Sequence, residues 1–137
     1  MSPASSRSNA SRPLERIRRG SAPQVKVAVA DIDGVLRGKY LQRDKFLSAA
    51  AAAPEGTFGF CDVVLGWDMA EQPYDNARAV GWHTGFPDAL VRLDLATQRE
   101  VPWDDNVPFF LGEFVTHAKD GKGRTREEPH PLGPRPV

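Results

Sequence analysis

A chain of 137 residues suits one small domain, and its hydrophobic content of 40% is sufficient for a buried core. Lysine and arginine balance aspartate and glutamate at 18 each, so no excess charge favours nucleic acid or a membrane as a partner. A single cysteine excludes an internal disulfide, and with no apolar signal or membrane-spanning run the sequence predicts a cytoplasmic protein.

Residues 1–24 are rich in serine and arginine, with Glu15 as the only acid. This composition provides little apolar surface to bury and predicts a disordered arm. A mitochondrial transit peptide would share the composition, but Pro3 and Pro13 make it the less favoured alternative.

A β-hairpin is predicted after the arm. The first strand is indicated by three alternating valines, Val25, Val27 and Val29. Asp33 and Gly34 supply a turn, and residues 35–41 continue as a second strand with Arg37 and Lys39 on a solvated face.

A short helix is predicted next, at residues 43–53. Asp44 favours its first turn, Pro54 and Gly56 end it, and its buried stripe consists of Phe46, Leu47 and Ala50. Residues 58–65 alternate again and predict a third strand. Cys61 shares a face with Val63 and Leu65 there, which favours a core residue over a nucleophile.

The segment 66–88 has neither helical nor strand periodicity, yet it is too aromatic for disorder. It also contains four groups of chemical interest, namely Asp68, Asp75, His83 and Asp88. Three hypotheses compete: a metal cluster, a hydrolytic His/Asp pair, and an ordered loop that presents one carboxylate outward. The first lacks ligand spacing, so no metal ligands are assigned, and a Cys61/His83 dyad lacks a nucleophile turn.

Strands are predicted to resume at residues 91–95, with a turn at 96–100, a return from residue 101 and a last strand at 108–116. Residues 117–137 are polar, contain glycine and proline, and predict a linker. The order of elements predicts an α+β domain with a mostly antiparallel sheet of four to five strands covered by one short helix.

The run "DIDGVL", residues 31–36, follows a short apolar run and resembles the opening motif of haloacid-dehalogenase-type phosphatases, in which the first aspartate is the nucleophile. That fold needs repeated strand–helix crossovers and a later acidic pair after an apolar strand. Asp104 and Asp105 instead follow Pro102 and Trp103 in a predicted turn. Asp31 is therefore predicted to be a turn residue.

The ordered runs "DIDGVLRGKYL", "GFCDVVLGWDM", "GWHTGFPDALVRLDL" and "VPFFLGEF" together look like the N-terminal β-grasp domain of the glutamine synthetase family, over residues 25–116. The closing "PHPLGPRPV" resembles the segment that leads into the larger catalytic domain of that family. The resemblance implies an ATP-dependent ligase that activates a glutamate side-chain carboxylate as an acyl phosphate for attack by ammonia or an amine. It also implies that ATP and Mg²⁺ bind to the catalytic domain, and that the β-grasp domain closes the active site of a neighbouring subunit.

By the same resemblance, Asp68 in "LGWDM" matches the loop aspartate that binds ammonium and accepts its proton, and Trp67 would form an apolar or cation–π wall. A structural alternative is that Asp68 caps its loop. Met69, Ala70 and Glu71 replace the glycine–serine run frequent in the family, which leaves room for an amine larger than ammonia.

The resulting prediction is a β-grasp domain that binds no cofactor by itself and is inactive alone. Its expected partners are neighbouring subunits or a catalytic domain of the same family, together with ammonium or a small amine. The alternative is a free-standing β-grasp module that binds a partner protein.

Overall fold

A computed structural model describes residues 4–51, 57–76 and 78–130. The regular elements are α1 (Ala4–Arg19), β1 (Gln24–Ala30), β2 (Leu36–Gln42), α2 (Arg43–Ala51), β3 (Thr57–Cys61), β4 (Asp88–Val101), β5 (Val107–Lys119) and β6 (Thr125–Pro129). Two short 3-10 helices, Asp62–Leu65 and Trp82–Thr84, lie between β3 and β4 in the chain. Neither described α-helix has the length and apolar character needed to cross a membrane.

The strands form one mixed sheet in the order β2-β1-β5-β4-β3, with β6 paired to β5. β1 and β5 run parallel, with Lys26 opposite Phe109 and Ala28 opposite Leu111. The predicted α+β, β-grasp class is confirmed, although the sheet has six strands where four to five were predicted and the structure has two helices.

The chain divides into two compact units. The first contains the described residues of Met1–Ala28, Gly38–Thr57 and Leu93–Gly112. In its core, Phe46 of α2 stacks on Phe110 of β5 with 4.9 Å between ring centroids, and both side chains are fully buried beside Val25 and Val27. The predicted valine alternation is thus confirmed, and in the predicted helix stripe Phe46 and Ala50 are buried while Leu47 is partly exposed. The predicted helix end at Pro54 and Gly56 lies outside the described residues.

Helix α1 occupies most of the stretch for which composition predicts a disordered arm. Its last turns account for the difference, because Ile17 is buried and α1 contacts α2. Arg18 Nη1 also donates to Glu15 Oε1 at 2.7 Å, which stabilises the helix. Three arginines in the last turn interact favourably with the negative end of the helix dipole.

The turn predicted at residues 96–100 is wrong, because these residues continue β4. The chain reverses after Val101, where Asp104 N donates to Val101 O at 3.0 Å. Asp105 and Asn106 adopt φ angles of 50° and 53°, a left-handed conformation that these two residue types tolerate better than most.

The second unit contains the described residues of Val29–Arg37, Phe58–Arg92 and Glu113–Val137. Here β3 ends at Cys61, so the strand predicted over residues 58–65 is wrong beyond that point. Phe60 packs edge-on against both Phe58 and Phe114, with centroids 6.3 and 6.2 Å apart.

The predicted polar linker from residue 117 contains regular structure. β5 extends to Lys119, and β6 pairs antiparallel with it from Thr125, opposite Lys119, to Pro129, opposite Val115. The connecting turn is held by Asp120, whose Oδ1 accepts the backbone N–H groups of Lys122 and Arg124. Residues 131–137, the rest of the predicted linker, lie outside the described residues.

Candidate functional site

The first hairpin turn, residues 31–35, is organised by a buried carboxylate. Asp31 Oδ1 accepts the backbone N–H groups of Asp33 and Val35 at 2.9 and 2.8 Å, and Gly34 takes the left-handed φ of 78°. Burial opposes ionisation of Asp31, but these bonds and that from Arg37 outweigh it and lower its pKa. Its carboxylate is committed to this turn, which confirms the prediction of a turn residue rather than a nucleophile.

Arg37 does not lie on a solvated face, contrary to the prediction from alternation, because its side chain is only 14% exposed. Its Nε donates to Asp31 Oδ2 at 3.1 Å and its Nη1 to Glu71 Oε1 at 2.8 Å. Its Nη2 donates to Met69 O at 3.3 Å, and Cζ lies 5.3 Å from the ring centroid of Trp67. One side chain therefore contacts both the hairpin and the loop that carries Asp68.

Asp68 organises a second turn, residues 68–72, called here the Asp68 turn. Its Oδ1 accepts the backbone N–H groups of Ala70 and Gln72 at 2.8 and 3.0 Å. Glu71 N donates to Asp68 O at 2.9 Å and has a φ of 63°. The capping role that the sequence left as an alternative is therefore present. Within the described residues the second carboxylate oxygen, Oδ2, accepts no hydrogen bond, and the side chain is partly exposed.

Trp67 precedes this turn and pairs with Pro73 in an isolated β-bridge. The ring is partly buried, and the cation it contacts is the guanidinium of Arg37. Its Nε1 is buried and has no hydrogen-bond partner among the described residues. The cation–π contact that Trp67 makes in the structure is with Arg37 of the same chain, so its predicted role as a wall for the amine stays a prediction.

Tyr74 completes the site and was not singled out from the sequence as a functional candidate. Its backbone N donates to Gly66 O at 2.8 Å, which brings it back beside the start of the loop. Burial raises the pKa of its hydroxyl, and the negative charges of Asp33, Asp68 and Asp31 raise it further. The phenol therefore stays protonated at neutral pH and is available as a hydrogen-bond donor.

Among the described residues, carboxylates predominate at this site. Arg37 bonds to Asp31 and Glu71, and the negative charges of Asp33, Asp68 and Asp31 act on Tyr74. Such an arrangement favours a cation over an anion as ligand. A protonated amine or ammonium ion meets this requirement and supplies the N–H donors that a carboxylate oxygen accepts.

The other candidate groups of the long segment are engaged separately. His83 Nε2 bonds to Arg78 O at 2.8 Å, while Cys61 Sγ donates to Phe86 O at 3.3 Å. The two side chains have different partners, which gives no support to a Cys–His dyad. In the part of the chain that the structure describes, no three His, Cys, Asp or Glu side chains are grouped to hold a metal ion.

Known proteins are similar to this chain in sequence and in fold. The chain is 43% identical over 122 residues to a type-1 glutamine synthetase 2 of Dictyostelium discoideum, a match that covers 89% of this chain and 21% of the relative. It is 35% identical over 95 residues to a glutamate–isopropylamine ligase of Pseudomonas, covering 69% of this chain and 20% of that protein. The chain is related to the glutamine-synthetase-type ligases.

A third such relative, a gamma-glutamylethanolamide synthetase of Streptomyces coelicolor, is 28% identical over 96 residues, covering 70% of this chain and 20% of that protein. This chain thus spans about a fifth of the length of the ligases it matches. The solved ADP complex of GmaS has the same fold over 74% of this chain and 20% of its own, with a TM-score of 0.50 and 19% identity. No family model matches the chain.

Proposed function

We propose that this chain supplies Asp68 to the amine-binding site of a glutamine-synthetase-type ligase that joins ammonia or an amine to the side-chain carboxylate of glutamate. The observation that carries the proposal is that the two carboxylate oxygens of Asp68 differ in their hydrogen bonding. Asp68 Oδ1 is fixed by two backbone N–H groups, while Oδ2 accepts no hydrogen bond within the described residues. A carboxylate held in this way is oriented before a ligand arrives.

The role proposed for Asp68 is to accept an N–H bond from the incoming ammonium or alkylammonium ion through Oδ2 and then to remove a proton. An amine must lose a proton before its lone pair is available for attack, and a carboxylate within hydrogen-bond reach serves as the base. The negative charge of the surrounding side chains favours the cationic form on arrival. Trp67 and the 68% exposed Met69 provide apolar surface beside Asp68 for the carbon atoms of a larger amine.

ATP and Mg²⁺, which the family resemblance implies, would supply the activation of the glutamate carboxylate. By that resemblance we assign nucleotide, metal and glutamate to a catalytic domain, and within the described residues no three His, Cys, Asp or Glu side chains are grouped to hold a metal ion. The chain would meet that domain in a neighbouring subunit of an assembly and would be inactive alone. In support, the chain spans only about a fifth of each ligase it matches.

The test is a chimera in which this chain replaces the matching segment of the Dictyostelium relative. Asp68→Asn keeps one carbonyl oxygen to accept from Ala70 and Gln72, so the Asp68 turn is retained, but Oδ2 becomes an NH₂ donor. We expect kcat/KM for the amine to fall by about a hundredfold or more, with the KM for ATP unchanged. Asp75→Asn, which removes an exposed carboxylate of the same segment, is the matched control.

Equal amine kinetics in the Asp68→Asn and Asp75→Asn chimeras would contradict the proposal.

A different function, a free-standing module that binds a partner protein, is favoured by Trp82 and Trp103, which are 75% and 88% exposed. Large exposed aromatic side chains are typical of interaction surfaces.

A further inference from the structure

Arg37 joins the first hairpin turn to the Asp68 turn, and its two carboxylate partners are not equivalent. The side chain of Asp31, which accepts from Nε, is fully buried. The side chain of Glu71, which accepts from Nη1, is 61% exposed. Because solvent weakens exposed ion pairs, the bond to Asp31 is the firm anchor and the bond to Glu71 is the weaker one.

The same guanidinium contacts both chain neighbours of Asp68. It donates to the carbonyl oxygen of Met69 at 3.3 Å, and it lies over the ring of Trp67 with 5.3 Å from Cζ to the centroid. Asp68 lies between these two residues in the chain. A displacement of its backbone therefore disturbs at least one contact with Arg37.

The Asp68 turn needs such support because its own backbone is unfavourable. Glu71 adopts a φ of 63°, a left-handed conformation that residues other than glycine rarely take unless the surroundings impose it. The bonds that Asp68 makes to Ala70 and Gln72 define the shape of the turn. They do not fix the turn relative to the hairpin, and within the second unit Arg37 makes that connection.

Arginine suits this position better than lysine. A guanidinium is a planar fork with five N–H donors and a flat face, so it bonds to two carboxylates and a carbonyl while stacking on an aromatic ring. A lysine ammonium keeps the charge but loses the fixed fork and the stacked plane. The observed set of contacts uses each of these properties.

We propose that Arg37 is a positioning residue for Asp68: by tying the Asp68 turn to the buried carboxylate of Asp31, it sets where Asp68 Oδ2 meets the amine. This inference rests on the proposed function. It adds a second residue to the amine site, one that acts through Asp68 and does not itself contact the substrate.

The first test uses the isotopically labelled 137-residue chain and needs no catalysis. Arg37→Gln is expected to shift the NMR amide signals of Ala70 and Gln72 and the carboxyl signal of Asp68, and to speed hydrogen exchange of both amides by about tenfold or more. Arg37→Lys should give a smaller change of the same kind. Arg124→Gln is the matched control, because Arg124 Nε bonds to Asp120 Oδ2 at 2.8 Å in the turn between β5 and β6.

The second test uses the chimera with the Dictyostelium relative. Arg37→Gln should raise the KM for the amine by about ten- to a hundredfold while the KM for ATP is unchanged, and Arg37→Lys should restore part of the loss. General destabilisation would lower the melting temperature without this selectivity. Thermal unfolding of each variant is therefore measured alongside.

The outcomes separate the two proposals. If the Ala70 and Gln72 signals of Arg37→Gln match those of the unmodified chain, Arg37 does not position the turn, whatever Asp68→Asn does. If Asp68→Asn leaves amine kinetics unchanged while Arg37→Gln alters the turn, the proposed function of Asp68 is wrong. Shifted amide signals in Arg37→Gln together with weaker amine kinetics in Asp68→Asn support both proposals.

Discussion

Two buried carboxylates of the second unit, Asp31 and Asp62, differ because their surroundings differ. Asp31 accepts three hydrogen bonds, one of them from Arg37, and its pKa is lowered despite burial. Asp62 is also buried, but its Oδ1 has no hydrogen-bond partner among the described residues. Burial raises the pKa of Asp62, with a smaller contribution in the same direction from Asp88, while the nearby His130 opposes the shift.

The raised pKa of Asp62 predicts a pH-dependent cost in stability. A carboxyl whose folded pKa lies above its unfolded value stabilises the fold below about pH 4, and this contribution is lost as pH rises through the folded pKa. Asp62→Asn should therefore increase the free energy of unfolding at pH 7 by about 0.5–2 kcal/mol. The gain should disappear on acidification below pH 4, as measured by urea unfolding across the pH range.

His130 provides the internal control for that measurement. Burial lowers its pKa, and the charge of Asp62 partly offsets this effect. In Asp62→Asn the pKa of His130, followed by NMR, should fall further because the attraction is removed. A gain in stability that is the same at every pH would contradict this explanation, since it would not depend on ionisation of Asp62.

Among the secondary-structure elements, β2 depends on a glycine for its close approach to β1. A Cβ atom at Gly38 would lie 2.5 Å from Val27 O and 3.1 Å from Ala28 Cβ. Backbone atoms of a paired strand have little freedom to move away. Gly38→Ala should therefore lower the free energy of unfolding by about 1–3 kcal/mol in urea denaturation. Gly121→Ala, where a Cβ would meet nothing within 4 Å, should change it by less than about 0.5 kcal/mol. Equal effects would contradict the steric explanation.

The elements that could be predicted are those with a buried apolar face. β1 follows from its alternating valines and α2 from Phe46 and Ala50, because burial imposes the periodicity of the element on the sequence. β6 was missed because it reads Thr-Arg-Glu-Glu-Pro and none of its residues is fully buried, so no apolar alternation marks it. The turn after β4 was misplaced because polar residues at 96–100 resemble a turn although they continue the strand.

Over the whole molecule, the site depends on contacts that local patterns do not encode. The place of Asp31 in a turn could be predicted from turn chemistry, and the family resemblance singled out Asp68, which the structure also places in a turn. Arg37 could not, because its bond to Glu71 joins residues 34 positions apart and its alternation along β2 resembles that of a solvated side chain. Tyr74 was missed for the same reason, since the carboxylates that act on it come from two separate turns.

The chain as a whole is predicted to lack ligase activity until a catalytic domain is supplied. Alone with ATP, glutamate, ammonium and Mg²⁺ it should release no phosphate above a blank, because the proposed function gives this chain the carboxylate for the amine and assigns nucleotide and metal to a catalytic domain. The measurement is phosphate release by the chain alone, by the catalytic part of the Dictyostelium relative alone, and by the two mixed.

Light scattering on the same mixtures separates the two functions. Association accompanied by amine-dependent phosphate release supports a ligase domain, because both the contact and the carboxylate are then used. Absence of association favours the free-standing interaction module, for which the exposed Trp82 and Trp103 are the first side chains to substitute. Phosphate release by the isolated chain would contradict the assignment of nucleotide and metal to another domain.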